Sequence, residues 1–567
     1  MVPPRRRSRP SLFPGAPGAP PLTFGDLLEA VGSMGPFQLS SVLLLSLPVL
    51  LLASHNLVQN FSAASPEHWC QPRPGPNASS GQPPQARCWR VAPELAPGPP
   101  NSSLDRGQEE EEEEEEGASV GQEPCRDGWQ YDHSTFSSTI VTEWDLVCHL
   151  QPLKSLAQSL FMAGVLVGAF ILGDLSDRFG RRLVLIWSLL LVAVMGTGAA
   201  FSDRFATYCV FRFLSGVGIS GFLLNYICLS LEWVPTQYRA AVVSIQSYCS
   251  TAGQVLLAGL AYGLRDWRGL QLAISAPFFG FFAYSWWLPE SARWLLVHNE
   301  RRAALHSLKQ VARINGKAAA GGAVVLEMLE TQVESSPPGK GAHSCLDLFR
   351  TPTLRRISCC LMFISFSMNM TYFGLSMDLS VFGLNVFLVQ LFFGAMDLLA
   401  KMGCALLLAF WGRRTIQAAS LILAGIFLLA SLPVPPEMLM VRLAFVVLGK
   451  GCLAASSMCL YLYGGELFPT VVRQTGTSFT TVMARLGGIV APMVLMSGEF
   501  QPFLPLVIFG VMPILSGASA CFLPEMLNVP LMDTVAQVEE RASWKSKAIF
   551  GETPGNITAP VIRSTRF

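Results

Sequence analysis

The chain has 567 residues, of which 51% are hydrophobic and only 14% are charged, and its mean hydropathy is +0.41. Soluble globular domains carry about 25% charged residues, so this composition excludes an ordinary soluble protein and indicates a membrane protein. Lys and Arg number 40 and Asp and Glu number 39, which leaves a formal charge of +1 and favours no nucleic-acid partner.

Apolar segments of about 20 residues, long enough to cross a bilayer core of about 30 Å, recur along the chain. They predict an all-α membrane protein with twelve transmembrane helices in two six-helix halves: Phe37–Leu57, Ser155–Gly173, Leu183–Phe201, Ala206–Leu231, Ala240–Leu264, Leu270–Leu288, Ile357–Met377, Leu384–Trp411, Thr415–Pro433, Met440–Gly464, Gln474–Met496 and Pro502–Leu523. The predicted regions are an N-terminus 1–36, a first half 37–288, a linker 289–356, a second half 357–523 and a tail 524–567.

The basic residues predict the direction in which the chain crosses the bilayer. With both termini placed in the cytoplasm, 26 Lys and Arg fall on the cytoplasmic side, 9 fall outside and 5 lie within spans. Because cytoplasmic loops of membrane proteins are enriched in Lys and Arg, we expect both termini, the linker and the tail to be cytoplasmic.

The long outer segment 58–153 contains four of the 14 cysteines, Cys70, Cys88, Cys125 and Cys148. An extracellular segment is oxidising, so we expect two disulfides, and three connectivities are possible. Sequons in the same segment predict glycosylation at Asn77 and Asn101. The acidic run Glu109–Glu116 is interpreted as a solvated tract and is assigned no function.

Motifs on the cytoplasmic side recur at a nearly constant spacing. Gly180-Arg181-Arg182 matches Gly412-Arg413-Arg414 at an offset of 232, and Glu232-x-x-Pro235-x-x-x-Arg239 matches Glu466-x-x-Pro469-x-x-x-Arg473 at 234. Two repeated halves predict a central binding site at their interface and alternating access by rocking of one half on the other.

The arginines in these motifs can bind carboxylates and helix C-termini of the opposite half when the inner side is closed. The alternative is that they only anchor the turns at the membrane surface. The predicted cytoplasmic gate residues are Asp177, Arg178, Arg181, Arg182, Glu232, Arg239, Arg413, Arg414, Glu466 and Arg473.

Enzymatic and metal-binding signatures such as H-E-x-x-H and paired C-x-x-C are missing from the sequence. The stretch Gly216–Gly221 fits the dinucleotide fingerprint G-x-G-x-x-G but lies inside an apolar helix, where small residues favour close helix packing. We therefore expect neither an enzyme nor a resident cofactor or metal.

Five basic residues fall within predicted spans, and such charges usually face a cavity or a partner: Arg212, Lys401, Arg442, Lys450 and Arg485. Asp397 precedes Lys401 by four residues, so the two share a helix face and can neutralise each other. Lys450 and Arg485 have no acid at helical spacing, so the deeper charges of the second half sum to +2 and an anion should balance them.

Arg485 is the strongest candidate for a residue that binds the anion, because a guanidinium binds a carboxylate through two parallel hydrogen bonds. An organic substrate also needs apolar and aromatic walls. Candidates for these walls are Tyr372, Phe373 and Tyr461, and Asn56 can contribute a hydrogen bond. A packing role is the alternative for each.

These motifs resemble the major facilitator superfamily and, more narrowly, the organic anion transporter branch of solute carrier family 22. The stretches that carry the resemblance are Ser54–Asn56, Ser138–Cys148, Gly173–Arg182, Pro289–Trp294 and Gly465–Thr470. The resemblance implies sodium-independent exchange of organic anions, often against intracellular dicarboxylate, at the plasma membrane of a barrier epithelium. It also implies that Arg485, Lys401, Tyr372 and Phe373 occupy positions of the branch's binding site.

The chain departs from the branch at Ser250, Ser365 and Ser457, where aromatic residues are common, so the resemblance leaves the substrate range open. The functional hypothesis is an antiporter of small organic anions in the lipid bilayer, with dicarboxylate as the counter-ion. The alternatives are an organic cation or zwitterion carrier, and a non-transporting receptor or scaffold that uses the outer segment.

Overall fold

The computed structural model of the chain describes residues 24–71, 88–91, 122–125, 127–317, 347–377, 379, 385–435, 437–469, 472–499, 501–527 and 535–541. The predicted glycosylation sites Asn77 and Asn101 and the acidic run Glu109–Glu116 lie outside the described residues.

The described part of the chain is mainly helical. Up to residue 288 the helices are α1 (Phe24–Val31), α2 (Pro36–Leu57), α3 (Gln59–Ser62), α4 (Ile140–Glu143), α5 (Pro152–Phe179), α6 (Arg181–Ala200), α7 (Phe205–Trp233), α8 (Arg239–Gly263), α9 (Trp267–Ser275) and α10 (Pro277–Ser285). They are followed by α11 (Ala292–Val297), α12 (Arg301–Ile314), α13 (Asp347–Arg350), α14 (Pro352–Met377), α15 (Val386–Phe410), α16 (Arg413–Ala430), α17 (Leu439–Leu467), α18 (Arg473–Met496) and α19 (Leu504–Ala520).

Nine helical segments among the described residues are long and apolar enough to cross a membrane. The other three predicted spans correspond to α8, to the pair α9 and α10, and to the shorter apolar helix α19. The span predicted as Leu270–Leu288 is interrupted between α9 and α10, because Pro277 lacks an N–H group and its ring clashes with the preceding turn. The predicted all-α membrane fold is confirmed.

The two halves are built from the same helix pairs. In the first half α2 packs on α8, α5 on α7, α6 on α7, and α6 on α10; in the second half α14 packs on α18, α15 on α17, α16 on α17, and α16 on α19. Two glycines 234 residues apart occupy close approaches in the corresponding pairs α2–α8 and α14–α18. A Cβ on Gly253 would lie 2.0 Å from the carbonyl oxygen of Leu50, and one on Gly487 would lie 2.3 Å from that of Phe366. The duplication in the sequence is therefore a duplication of packing.

Segment 58–153 forms small antiparallel ladders at one end of the bundle. Strand β1 (His68–Cys70) pairs with β4 (Trp129–Tyr131), and β2 (Trp89–Val91) pairs with β3 (Gln122–Pro124). The disulfides are Cys70–Cys125 and Cys88–Cys148, which selects one of the three possible connectivities. His68 lies beside the second disulfide, whose sulfurs are bonded to each other and so are not thiolate ligands for a metal.

The segment is anchored to the bundle by the stretch Ser138–Cys148. Glu143 accepts a hydrogen bond from Trp267 Nε1 at 2.7 Å and forms a salt bridge with Arg268. The ring of Trp144 lies 5.5 Å from that of Trp267 and 5.4 Å from that of Tyr208. These contacts explain why this stretch contains an acid next to a tryptophan.

The bundle has two ends, which we call the loop end and the basic end. The loop end carries segment 58–153, and the basic end carries the turns at Gly180 and Gly412. The α2 helix runs from the basic end to the loop end and continues there, through Val58, into α3.

The disulfide pairing generates a prediction. Peptide mapping of the non-reduced full-length protein should recover two cross-linked pairs, Cys70 with Cys125 and Cys88 with Cys148. Cys88→Ser should free Cys148 to alkylation and leave the other pair intact. Because removal of a native disulfide typically costs about 2–5 kcal/mol, this variant should also reach the cell surface less well than the parent. A Cys70–Cys88 cross-link in the parent would contradict the arrangement.

Candidate functional site

The two halves meet through two helix pairs: α5 packs on α18, and α8 packs on α15. The binding residues predicted from the sequence lie on these helices or beside them: Arg485 on α18, Lys401 on α15, Tyr372 and Phe373 on α14, Tyr461 on α17 and Asn56 on α2. A site lined by both halves would therefore lie at this interface.

Arg485 lies near the middle of α18. Its guanidinium lies near the phenol groups of Tyr461, in the same half, and Tyr226, in the opposite half. Within the described ranges no carboxylate lies at salt-bridge distance from it. A permanent positive charge thus lies between the two halves beside neutral groups.

Aromatic side chains surround this charge. Phe373 packs against the cores of both halves and lies next to Gly488, one turn along α18 from Arg485. The ring of Phe373 meets that of Tyr372 edge-on at 5.8 Å. Tyr461 is 71% exposed, so the surface beside Arg485 is open rather than sealed by packing. The structure thus places Tyr461 beside Arg485 and Phe373 one helical turn from it.

The predicted neutralisation of Lys401 by Asp397 is wrong in its choice of partner. The Asp397 carboxylate lies 3.6 Å from the Lys450 ammonium on the neighbouring helix α17, and both side chains are fully buried. The Lys450 ammonium also lies 4.4 Å from the ring centroid of Phe393 and 5.0 Å from that of Tyr372. The four-residue spacing on α15 allows Asp397 to pair with Lys401. A buried ion pair also needs side chains that point towards each other, and Lys450 on α17 meets that requirement.

Tyr372 belongs to the same buried network. Its hydroxyl donates to Asp397 Oδ2 at 2.6 Å and accepts from Gln254 Nε2, on α8, at 2.9 Å. The hydroxyl of Tyr372 is therefore already engaged on both sides, and its ring rather than its oxygen is left to line a site. Through Gln254 the network also joins the second half to the first.

Lys401 crosses the interface instead of pairing along its own helix. Its ammonium donates to Thr251 Oγ1, on α8, at 2.8 Å, and the residue is 7% exposed. Since Lys450 takes Asp397, the two charges left without a carboxylate at salt-bridge distance among the described residues of this region are Lys401 and Arg485. The predicted excess of two positive charges persists, and both excess charges contact or face the opposite half.

Asn56 lies apart from these residues in the described contacts. It is half-buried near the loop end, and its carbonyl accepts from Gln158 Nε2 at 3.2 Å. The fully buried Arg212 donates to the neighbouring His55 carbonyl and to Gln158 Oε1, each at 3.4 Å, and lies 4.1 Å from the ring of Phe161. This polar cluster secures the end of α2 rather than joining the groups around Arg485.

The predicted gate residues of the first half form one cluster at the basic end. Arg181 donates to Asp177 and lies 3.9 Å from Glu232, and its backbone N–H donates to Glu290 at 3.1 Å. Glu290 also accepts from the backbone N–H of Arg182. Burial raises the pKa of Glu290, while the backbone N–H groups of Ser291, Arg182 and Arg181 oppose that shift.

The second half repeats this cluster. Arg413 lies 3.2 Å from Glu466, and the backbone N–H groups of Arg413 and Arg414 donate to Glu525 at 2.8 and 3.1 Å. The remaining gate residues also stay in their own half: Arg178 pairs with Asp174 at 3.0 Å, Arg182 donates to the Trp286 carbonyl, Arg239 donates to the Val234 carbonyl and Arg473 to the Phe468 carbonyl. In the described part of the basic end, no ion pair joins the two halves.

Besides the hydrogen bonds of Gln254 and Lys401, further direct contacts between the halves lie towards the loop end. Asn60 Nδ2 donates to the Ser376 carbonyl and, at 3.3 Å, to Gln390 Oε1, while Phe61 stacks on Phe387 at 5.5 Å. We call these five residues the loop-end seal. The halves are therefore in contact at the loop end, whereas the gate clusters described at the basic end each stay within one half.

Sequence reasoning missed several of these residues. Tyr226, Thr251 and Gln254 lie in the first half but serve charges of the second half. Glu290 and Glu525 each follow a proline just after the sixth span of their half, and neither was assigned a role from the sequence. The sequence carries one signal for their role as acceptors for the turn N–H groups, which is that an acid recurs after the sixth span of each half.

The Asp397–Lys450 pair generates a prediction. Asp397→Asn should leave the Lys450 ammonium buried without a counter-charge, at a cost of about 3–5 kcal/mol, and should lower the thermal unfolding midpoint of the detergent-solubilised protein. Asp397→Asn combined with Lys450→Met should recover most of the loss. Asp174→Asn removes only an exposed ion pair and serves as the control, since such pairs contribute about 0–1 kcal/mol. Equal losses in the single and double variants would contradict the pairing.

Comparison with known proteins places the fold. Residues 105–536 match the family model described as "Sugar (and other) transporter". The xylose transporter XylE of E. coli in an inward-open conformation superposes with a TM-score of 0.58 at 16% identity, over 89% of this chain and 99% of that chain. A partially occluded inward-open form of XylE gives a TM-score of 0.56 at 15% identity, over 86% and 100% of the two chains.

Curated relatives are much closer in sequence. Solute carrier family 22 member 6-A of Xenopus laevis is 46% identical over 93% of this chain and 96% of its own length. Organic anion transporter 3 of Homo sapiens is 45% identical over 93% and 95% of the two chains. These relatives are transporters, which confirms the prediction that the protein is not an enzyme. The chain belongs to the organic anion transporter branch of solute carrier family 22, within the major facilitator superfamily.

Proposed function

We propose that this protein is a secondary active transporter that exchanges organic anions across the plasma membrane by alternating access. The observation that carries the proposal is the Arg485 guanidinium, held between the two halves without a described carboxylate at salt-bridge distance. A charge within a span costs about 2.5–3.5 kcal/mol on insertion scales. A bound carboxylate or sulfate offsets that cost and can accept two hydrogen bonds from the guanidinium.

The second excess charge supports exchange and points to the counter-ion. Lys401 and Arg485 together provide two positive charges for a dicarboxylate, and each interacts with a residue of the opposite half. An empty carrier that changes its accessible face must carry both charges without compensation, whereas a loaded carrier does not. Reorientation with an anion bound is therefore favoured, and the transporter should act as an exchanger rather than as a uniporter.

The transport cycle follows from the two ends of the bundle. The basic end, where the gate clusters are separate, corresponds to the cytoplasmic side, since it carries the arginine-rich turns. Opening the other side requires the loop-end seal to break and the gate clusters of the two halves to approach each other. Both termini are then cytoplasmic, segment 58–153 is extracellular, and barrier epithelium is the proposed tissue.

Reversal of the central charge tests the proposal. Arg485→Asp should lower uptake of a radiolabelled aromatic carboxylate by about 30-fold or more, because loss of one member of a buried hydrogen-bonded charge pair costs about 2–5 kcal/mol. Arg485→Lys keeps the charge but loses the paired hydrogen bonds, so its uptake should be intermediate. Arg302→Asp, on the exposed face of α12, is the matched control. Uptake is measured per molecule at the cell surface.

Three results would overturn this assignment. Unchanged anion uptake in Arg485→Asp would remove Arg485 from the site. Inhibition of the parent by organic cations but not by aromatic carboxylates would favour the cation or zwitterion carrier. Lack of uptake across a broad panel of anions, with the protein at the surface, would favour the receptor or scaffold.

The counter-ion is tested through Lys401. Preloading cells with a dicarboxylate should accelerate uptake of the labelled anion, and preloading with a monocarboxylate should accelerate it less. Lys401→Gln removes one of the two charges, so the preference for the dicarboxylate should fall by about tenfold, the factor that corresponds to about 1.4 kcal/mol. Lys309→Gln, on the exposed surface of α12, is the control. Preservation of the full preference in Lys401→Gln would contradict the two-charge site.

A further inference from the structure

The first helix of the first half is capped by a residue far away in the sequence. Asn315, just after α12, accepts a hydrogen bond through Oδ1 from the backbone N–H of Phe37 at 3.0 Å, at a sequence separation of 278. Its Nδ2 donates to the Val31 carbonyl at 3.2 Å and to Gln38 Oε1 at 3.0 Å. N–H groups in the first turn of a helix have no acceptor within the helix, so Asn315 provides one and ties α1 and α2 together.

The first helix of the second half is capped in the same way. Glu539 Oε1 accepts from the backbone N–H groups of Thr353 and Leu354 at 2.9 and 3.3 Å, and Oε2 accepts from the Thr353 hydroxyl at 2.6 Å. The adjacent Val538 is 4% exposed and belongs to the core of this half, together with Leu354. The tail segment 535–541 is thus docked on the basic end of α14 by one buried side chain and one carboxylate.

The charge of Glu539 suits this position. A negative group is stabilised near a helix N-terminus, where the helix dipole is positive. Burial raises the pKa of Glu539, but the hydrogen bonds from the Thr353 hydroxyl and from the backbone N–H groups of Thr353 and Leu354 outweigh burial and hold that pKa below its ordinary value. The carboxylate is therefore ionised at neutral pH and acts as an acceptor only.

The two caps have corresponding places in the topology of the two halves, although they are 224 residues apart rather than at the spacing of the repeated motifs. Asn315 follows the last span of the first half, α10, and Glu539 follows the last span of the second half, α19. In each half the chain returns after its sixth span to the first helix of that half. The motif comparison does not show this relation, because one cap is an amide and the other is a carboxylate.

The two capped helices meet at the opposite end of the bundle. Asn60 lies on α3, the continuation of α2, and donates to the carbonyl of Ser376, on α14. An axial shift of either helix by one residue is about 1.5 Å, enough to break a hydrogen bond of this kind. The caps at the basic end therefore fix the register in which the loop-end seal closes.

We infer that Asn315 and Glu539 are positioning residues at corresponding places in the two halves, and that they hold the basic ends of α2 and α14 so that the loop-end seal closes in register. They set the rate at which the transporter changes its accessible face and leave substrate affinity unaffected. This inference rests on the proposed transport function and adds a role for the linker and the tail.

Transport kinetics test the inference. Asn315→Ala and Glu539→Ala should each lower the maximal uptake rate per surface molecule by about three- to tenfold, with the KM for the labelled aromatic carboxylate within twofold of the parent. Glu539→Gln should stay close to the parent, because the amide oxygen accepts from the two backbone N–H groups and the NH₂ group donates to the Thr353 hydroxyl. Gln310→Ala and Glu540→Ala, at exposed neighbouring positions, are the controls.

Two results would contradict the predicted effect of the caps on the maximal transport rate. A raised KM with an unchanged maximal rate would place these residues in substrate binding. Glu539→Gln as damaging as Glu539→Ala would show that the cap geometry described here is not what matters. Surface amount and the thermal unfolding midpoint, measured for every variant, separate a slower cycle from a protein that fails to fold.

The state of the seal is tested without any substrate. In a Ser376→Cys background, a membrane-impermeant thiol reagent applied outside the cell should react at least threefold faster when Glu539→Ala or Asn315→Ala is added, and the parent chain provides the labelling background. In an Asn60→Ala background, which already lacks the seal hydrogen bonds, the cap variants should produce no further acceleration. Unchanged labelling in both cap variants would overturn the inference, whereas failure of the parent to transport any anion would overturn only the proposed function.

Discussion

The constraint on which the structure depends is the placement of positive charge inside an apolar bundle. Three bases and one acid lie deep in the second half, and the acid Asp397 is taken by Lys450 in a fully buried pair. Lys401 and Arg485 are left to a hydroxyl and to phenol groups of the interface. Neutral dipoles can solvate a cation, but they do not cancel its charge. The region between the halves therefore keeps a positive potential that favours anions.

The duplication gives each half the same framework but not the same chemistry. The packed helix pairs, the close glycine contacts, the arginine clusters and the helix caps from Asn315 and Glu539 all recur between the halves. The deep ionised side chains do not: the first half contributes Tyr226, Thr251 and Gln254 to the interface, while the second contributes the charges. A symmetric scaffold suits rocking about a central axis, and an asymmetric lining lets one half hold the charge while the other half completes the site.

The contacts between the halves indicate how the site and the conformation are linked. The Tyr372 hydroxyl connects the buried ion pair to Gln254, and Lys401 connects α15 to Thr251, so the same polar groups that surround the excess charge also hold the halves together. An anion that binds Arg485 or Lys401 competes with these neutral partners. Under the proposed function, shared hydrogen bonds would couple ligand binding to the strength of the interface, which is the requirement for a ligand to bias a conformational equilibrium.

The sequence by itself determined the class of protein, the helical spans, the repeat and the presence of buried positive charge. Each of these follows from local patterns, because a span in lipid must satisfy its own backbone and Arg485 has no acid within helical reach. The tertiary structure alone decided the disulfide partners, the choice of Lys450 by Asp397, the roles of Tyr226 and Thr251, and the caps from Asn315 and Glu539. These contacts join residues that are far apart in the chain. They depend on how neighbouring helices are rotated and on the directions of their side chains, which periodicity along one helix does not specify.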